Sequence, residues 1–128
     1  GHAIDDLHNL RENKVFKETF SKVKEEFYAD NYEVMRNLDI KLKNIKASGY
    51  EGYDHNEILP IADTLMCIHA RAGWGHSPDY MTPEKQEAEF IARSFENRFL
   101  ENKTFKSLAP DLHKKMTNMV DQLIAEIL

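Results

Sequence analysis

The residues able to do chemistry gather in Ala72-Gly73-Trp74-Gly75-His76-Ser77-Pro78-Asp79-Tyr80-Met81-Thr82-Pro83, which holds the only tryptophan, two of the five glycines and two of the four prolines. Loops that only connect are usually small and polar, so a stretch this rich in His, Trp, Asp and Tyr points to a working loop. The helix expected after it presents Glu87 and Glu89, and the start of the chain presents His2. Two histidines, two glutamates and a Trp/Tyr loop are the raw material of a metal site. Whether they meet is a question of fold.

Zinc hydrolases show what such a set can do. The metal takes three protein ligands and leaves one position open for water. Two ligands are commonly histidines four apart on one helix, in H-E-x-x-H, because those positions share a face. The glutamate between them serves as general base. A third ligand, often Glu, comes from a later helix, and a loop His or Tyr can stabilise the oxyanion. Other chemistries find little support: the chain has no Gly-rich phosphate loop, no C-x-x-C, and no Ser or Cys nucleophile with a matching histidine nearby in sequence. Cys67, the single cysteine, lies in an apolar stretch and reads as a small buried hydrophobe. Cys67 and His69, two apart on a helix, point in different directions and make a poor metal pair. His55 reads as a surface histidine of a loop, with no companion at ligand spacing.

The elements that must position these residues are helical. Phe16, Phe20, Val23 and Phe27 form one stripe of a helix over Lys14–Ala29, read as core. Val34, Leu38, Leu42 and Ile45 stripe a second helix, Asn31–Lys46, stopped by Ser48-Gly49. Asn56 is the expected cap of a third, running to about Ala70 with Pro60 in its first turns and Ile58, Ile61, Leu65 and Ile68 on one face. Asp63 interrupts that apolar helix, so it lies at the boundary or is held by a partner. Thr82, Pro83 and Glu84 give a strong start for a helix to about Leu100. Its expected apolar face is Ala88, Ile91, Phe95 and Phe99, with Glu89, Ala92, Arg93 and Glu96 as the adjacent stripe. Glu89 and Glu96 could both face a metal or simply pair with Arg93. A short turn over Asn102–Leu108 and a last helix from Pro110 complete an all-α single domain of five or six helices, with a further short helical piece at Ala3–Leu10.

Composition bounds the function. A chain of 128 residues, 41% hydrophobic and 30% charged, is one domain by the usual prior and long enough for a real core. No apolar run approaches the ~20 residues that span a bilayer, and no signal peptide is expected. A net charge of -5 argues against a general nucleic-acid binder. The alternating charges of Lys14–Lys46 are those of a solvated helix surface.

The start, Gly1-His2-Ala3-Ile4-Asp5, has two explanations. It is a cloning scar, or it continues a peptidase motif His-Glu-x-Gly-His-Ala-Ile-Asp whose first histidine and glutamate lie upstream. The order of Gly1-His2-Ala3-Ile4-Asp5, Asp63 in an apolar helix, Gly73-Trp74-Gly75-His76 with Asp79-Tyr80, and Glu89-Phe90-Ile91-Ala92 with Phe95-Glu96 resembles one family. These are the zinc-peptidase-like domains towards the C-terminus of phage minor head (head-morphogenesis) proteins and in related mobile-element and toxin proteins. The family has Glu-Ala-Phe-Ala where this chain has Glu89-Phe90-Ile91-Ala92, often has Trp where Met81 stands, and leaves Glu87 as a rival to Glu89. The resemblance implies His2 and Glu89 as metal ligands, His76 and Tyr80 as catalytic residues, and zinc in the intact parent. It also implies a protein or peptide substrate, other virion proteins as partners, and a place in the bacterial cytoplasm or the virion. The general base is absent from the chain itself, so this chain alone is expected to be inactive. The alternative is a non-catalytic helical interaction or virion-assembly domain.

Overall fold

A computed structural model describes residues 10–26, 32–68 and 82–127. The chain is an all-α single domain with no strand among the described residues; its helices include α1 Lys14–Lys24, α2 Tyr32–Ala47, α3 His55–Ile68, α4 Pro83–Phe99, α5 Lys103–Leu108 and α6 Pro110–Ile127. Residues 10–12 are also helical, and α1 runs on into a wider π-type turn over 25–26.

Local chemistry sets the ends of these helices. Asn13 starts α1, its side chain accepting from the Val15 N–H at 2.7 Å. At the end of α2, Gly49 takes φ +71°, the left-handed conformation open to glycine. The Tyr50 N–H then reaches back to the Ile45 carbonyl at 2.9 Å and the Gly49 N–H to Lys46 at 3.0 Å, a Schellman closure. Thr82 caps α4 by accepting from Lys85 N–H at 3.3 Å, with Pro83 in the first turn. Asn102 caps α5 in the same way, accepting from Phe105 N–H at 2.8 Å.

One cap differs from expectation. Helix α3 begins at His55, and Asp54 rather than Asn56 starts it, its carboxylate accepting from the Asn56 N–H at 2.9 Å. The Asp54 carbonyl also accepts from Glu57 and Ile58, so the helical ladder is already running at that point. His55 is therefore an exposed first-turn residue of a helix, edge-on to Tyr50 at 4.5 Å between ring centres.

The core sits where α6 packs against α1 and α4, and where α3 packs against α2, α4 and α5. Phe16 and Phe20 of α1 meet Phe90 of α4, with ring centres 6.4 and 4.7 Å from it. Leu112, Met116, Met119, Val120 and Leu123 form the buried stripe of α6. The face of α4 turns out differently from the Ala88/Ile91/Phe95/Phe99 stripe. Its buried residues are Phe90, Ile91, Ser94 and Asn97, while Phe99 is 61% exposed. Two polar residues inside the core are tolerated because each is bonded: Ser94 Oγ donates to the Phe90 carbonyl at 2.7 Å, and Asn97 Nδ2 to Met116 Sδ at 3.5 Å. This rotation of α4 leaves Glu89, Arg93 and Glu96 at the margin of the core, beside α3.

Candidate functional site

Glu89, Arg93 and Glu96 are four and three residues apart on α4, the spacings that put side chains on one face. Arg93 Nη1 donates to both oxygens of Glu96, at 2.7 and 2.9 Å. Arg93 Nη2 lies between two further carboxylates, 3.4 Å from Glu89 Oε2 and 3.5 Å from Asp63 Oδ2. Asp63 comes from α3, so one guanidinium ties two helices together. Its side chain is 25% exposed and Arg93's is 22%. Asp63 thus lies at the boundary and is held by a partner, which joins both expectations for it. Glu89 and Glu96 meet the second of their two alternatives, pairing with Arg93.

Three carboxylates, those of Asp63, Glu89 and Glu96, surround the one guanidinium. Burial works against the charge of Arg93, but the hydrogen bonds to Glu96 and the charges of Glu96, Asp63 and Glu89 outweigh it and hold the guanidinium firmly protonated. Arg93 Nε is buried with no hydrogen-bond partner among the described residues, so the three acids satisfy only the outer end of the side chain.

Cys67 lies one helical turn beyond Asp63 on α3 and is sealed from solvent. Burial pushes its thiol well above the ordinary range; Glu89 and Asp63 push the same way, against Arg93 and Lys24. A thiol so held stays protonated, and its full burial bears out the expectation of a small buried hydrophobe.

The two rival glutamates part company. Glu87 accepts from Arg11 Nε at 3.2 Å, tying α4 to the stretch that precedes α1. Glu89 faces Arg93 and Asp63 instead. Beside the cluster, towards the first turns of α3 and the end of α4, is a cavity of about 310 Å³. Arg93 and Glu96 form one side of it, and Asn56, Glu57, Pro60, Asn97, Leu100, Glu101 and Asn102 the rest.

His2, His76 and Tyr80 lie outside the described residues, as do Trp74 and the rest of the loop. Glu89 suits the one ligand place that the resemblance gives it. It is an oxygen donor, its side chain is 37% exposed, and it is steadied through Oε2. No group of three His, Cys, Asp or Glu side chains among the described residues is placed to hold a metal ion. No described helix is long and apolar enough to cross a membrane. Sequence reasoning missed the reach of Arg93 to Asp63. The only signal for it was an acid inside an apolar helix needing a counter-charge, with no indication of which helix supplied one.

Comparison with protein-family models, with curated proteins and with solved structures finds no match.

Proposed function

We propose that this chain is the C-terminal part of a zinc-peptidase-like domain of the phage head-morphogenesis kind, with Glu89 as one of its metal ligands. The observation that carries this is the convergence of Glu89 and Asp63. These acids, 26 positions apart on separate helices, come within reach of the same nitrogen, Arg93 Nη2. They are two of the acids in the motif order, and the shared Arg93 nitrogen leaves Glu89 steadied and partly exposed, as a ligand role requires.

Zinc, where bound, supplies a Lewis acid and lowers the pKa of its water. The chain's own residues bind and orient. The resemblance gives His2 as the second ligand and His76 and Tyr80 as catalytic residues, and Arg93, which also reaches Asp63 and Glu96, holds Glu89. The substrate is a protein or peptide, the partners are other virion proteins, and the setting is the bacterial cytoplasm or the virion. Zinc content of this chain, and of a form carrying the native residues encoded ahead of Gly1, tests the proposal. One equivalent in the longer form supports it, and none in either removes it.

A second reading has its own observation. Phe99 and Leu100, adjacent at the end of α4, are 61% and 65% exposed. Large apolar side chains side by side on the surface suit a non-catalytic helical interaction or assembly module.

A further inference from the structure

We propose that the cavity between the first turns of α3 and the end of α4 receives a lysine or arginine side chain of a protein partner, whose neighbouring apolar residues lie on Leu100 and Phe99. This rests on the reading of the chain as an interaction module and names the chemistry of what the module binds.

Three observations converge on a basic guest. The first is charge. Of the carboxylates that line the cavity, that of Glu96 is occupied by Arg93, both of its oxygens lying on Nη1 at 2.7 and 2.9 Å. Glu57 and Glu101 line the same cavity, and neither forms an ion pair among the described residues. Glu57 accepts from a backbone group, the Lys103 N–H, at 3.1 Å, and a carboxylate has room for further donors. Two carboxylates without a counter-ion favour a cation between them.

The second is a buried acceptor. Asn97 lines the cavity although only 7% of it is exposed. Its Nδ2 donates to the Met116 sulfur at 3.5 Å, whereas its Oδ1 accepts no bond among the described residues and is still reached by solvent. A carbonyl oxygen so placed calls for a donor. Ammonium and guanidinium groups carry donors only, several each, so one such group can serve Asn97 and a carboxylate together.

The third is shape. A cavity of about 310 Å³ is at the small end for ligand sites and suits one long side chain rather than a cofactor. Pro60 and Leu100 give its lining apolar surface, against which the aliphatic stem of a basic side chain packs. Leu100 is 65% exposed and Phe99 beside it 61%. A free amine would leave this pair bare, whereas a peptide that sends one side chain inwards covers it.

The experiment follows the Asn97 side-chain amide resonances of the 128-residue chain by NMR. The probes are acetyl-Leu-Lys-Leu-amide, the same peptide with Gln for Lys, and 1,5-diaminopentane. The Lys peptide is expected to shift these resonances saturably and to bind at least about threefold tighter than the Gln peptide, the scale of exposed ion pairs. Glu57→Gln with Glu101→Gln is expected to remove that preference; Gln keeps an oxygen for the Lys103 N–H, and the comparison of peptides on the wild type needs no variant. Leu100→Ala is expected to weaken both peptides and leave the diamine unchanged. Equal binding of the two peptides, still weakened by Leu100→Ala, overturns the basic guest and leaves an apolar interaction surface. Diamine binding as tight as that of the Lys peptide, indifferent to Leu100→Ala, assigns the cavity to free amines and overturns the protein partner. Shifts that grow with protein concentration alone and vanish in the double Gln variant assign it to a second copy of this chain, against a separate partner. No shift with any probe by about 10 mM overturns the proposal and, with it, the use of this end of α4 as an interaction surface.

Discussion

Arg93 and Asp63 lock α3 to α4: the arginine's Nη2 stands 3.5 Å from the aspartate's Oδ2, across the junction of two helices that share no short connection. Both side chains are more than two-thirds covered, and the same guanidinium also holds Glu89 and Glu96. Removing one acid still leaves Arg93 two others. In a double-mutant cycle of Asp63→Asn with Arg93→Gln, read by urea denaturation, a coupling of about 1 kcal/mol is expected, above the usual exposed pair and below a fully buried one. A coupling near zero makes the contact incidental.

Phe90 and Phe99 are nine residues apart on one helix and should behave oppositely. Phe90 is fully buried against Phe16 and Phe20, whereas Phe99 is 61% exposed. Phe90→Ala is expected to cost about 3–5 kcal/mol, the range for emptying an aromatic core site. Phe99→Ala is expected to stay within roughly 0.5 kcal/mol. Comparable losses at the two sites would mean that α4 is rotated from the position described.

This pair also shows what the sequence could and could not say. The starts of α4 and α6 were legible because Thr82-Pro83 and Pro110 allow few alternatives, and the end of α2 because Gly49 is the residue for a left-handed closure. The buried face of α4 departs from the expected one because the expected stripe follows apolar residues alone, whereas half of the buried residues are polar. The buried face runs through Ser94 and Asn97, polar residues that an apolar pattern does not pick out. A hydroxyl bonded back to the Phe90 carbonyl and an amide bonded to Met116 are satisfied inside a core, and no local pattern announces that. Asp54 displaced Asn56 as the cap for a related reason. Both residue types cap helices, and the choice was made by where the ladder starts. Of the candidate site, the Arg93 pairings with Glu89 and Glu96 follow from positions along one helix. The reach to Asp63 depends on how α3 lies against α4, which spacing along the chain does not carry.

Cys67 provides a probe of that packing. Its thiol is sealed and held protonated by burial, with Glu89 and Asp63 adding to the effect. A disulfide reagent at mildly alkaline pH is expected to leave the folded chain unmodified and to react only at the rate of local or global opening. The reaction should accelerate in Asp63→Asn if the contact with Arg93 keeps α3 seated on α4. Rapid modification of the native wild type would contradict the burial.

His113 gives the chain a pH dependence with a definite sign. Burial, and then the charge of Lys106, hold its imidazole below the ordinary value, and the ring stands edge-on to Phe105 at 5.8 Å. The unfolded chain then takes up the proton more readily than the folded one. The contribution of His113 is present above its unfolded value, about 6.5, and is lost as pH falls through the lower folded value. Between about pH 7.5 and 5 the urea midpoint of the wild type should fall further than that of His113→Gln. Parallel decreases in the two proteins would assign the dependence to other groups.

The most direct measurement is zinc per chain, by elemental analysis, in the 128-residue chain, in the form carrying its native upstream residues, and in that form with Glu89→Ala. One equivalent in the longer form, little in the 128-residue chain, and none after Glu89→Ala is the expected pattern for a metal-ligand set that reaches from ahead of Gly1 to Glu89. No zinc in any of the three would contradict it. The Asp63–Arg93–Glu89 cluster would then stand as the ion-pair lock of a helical interaction domain.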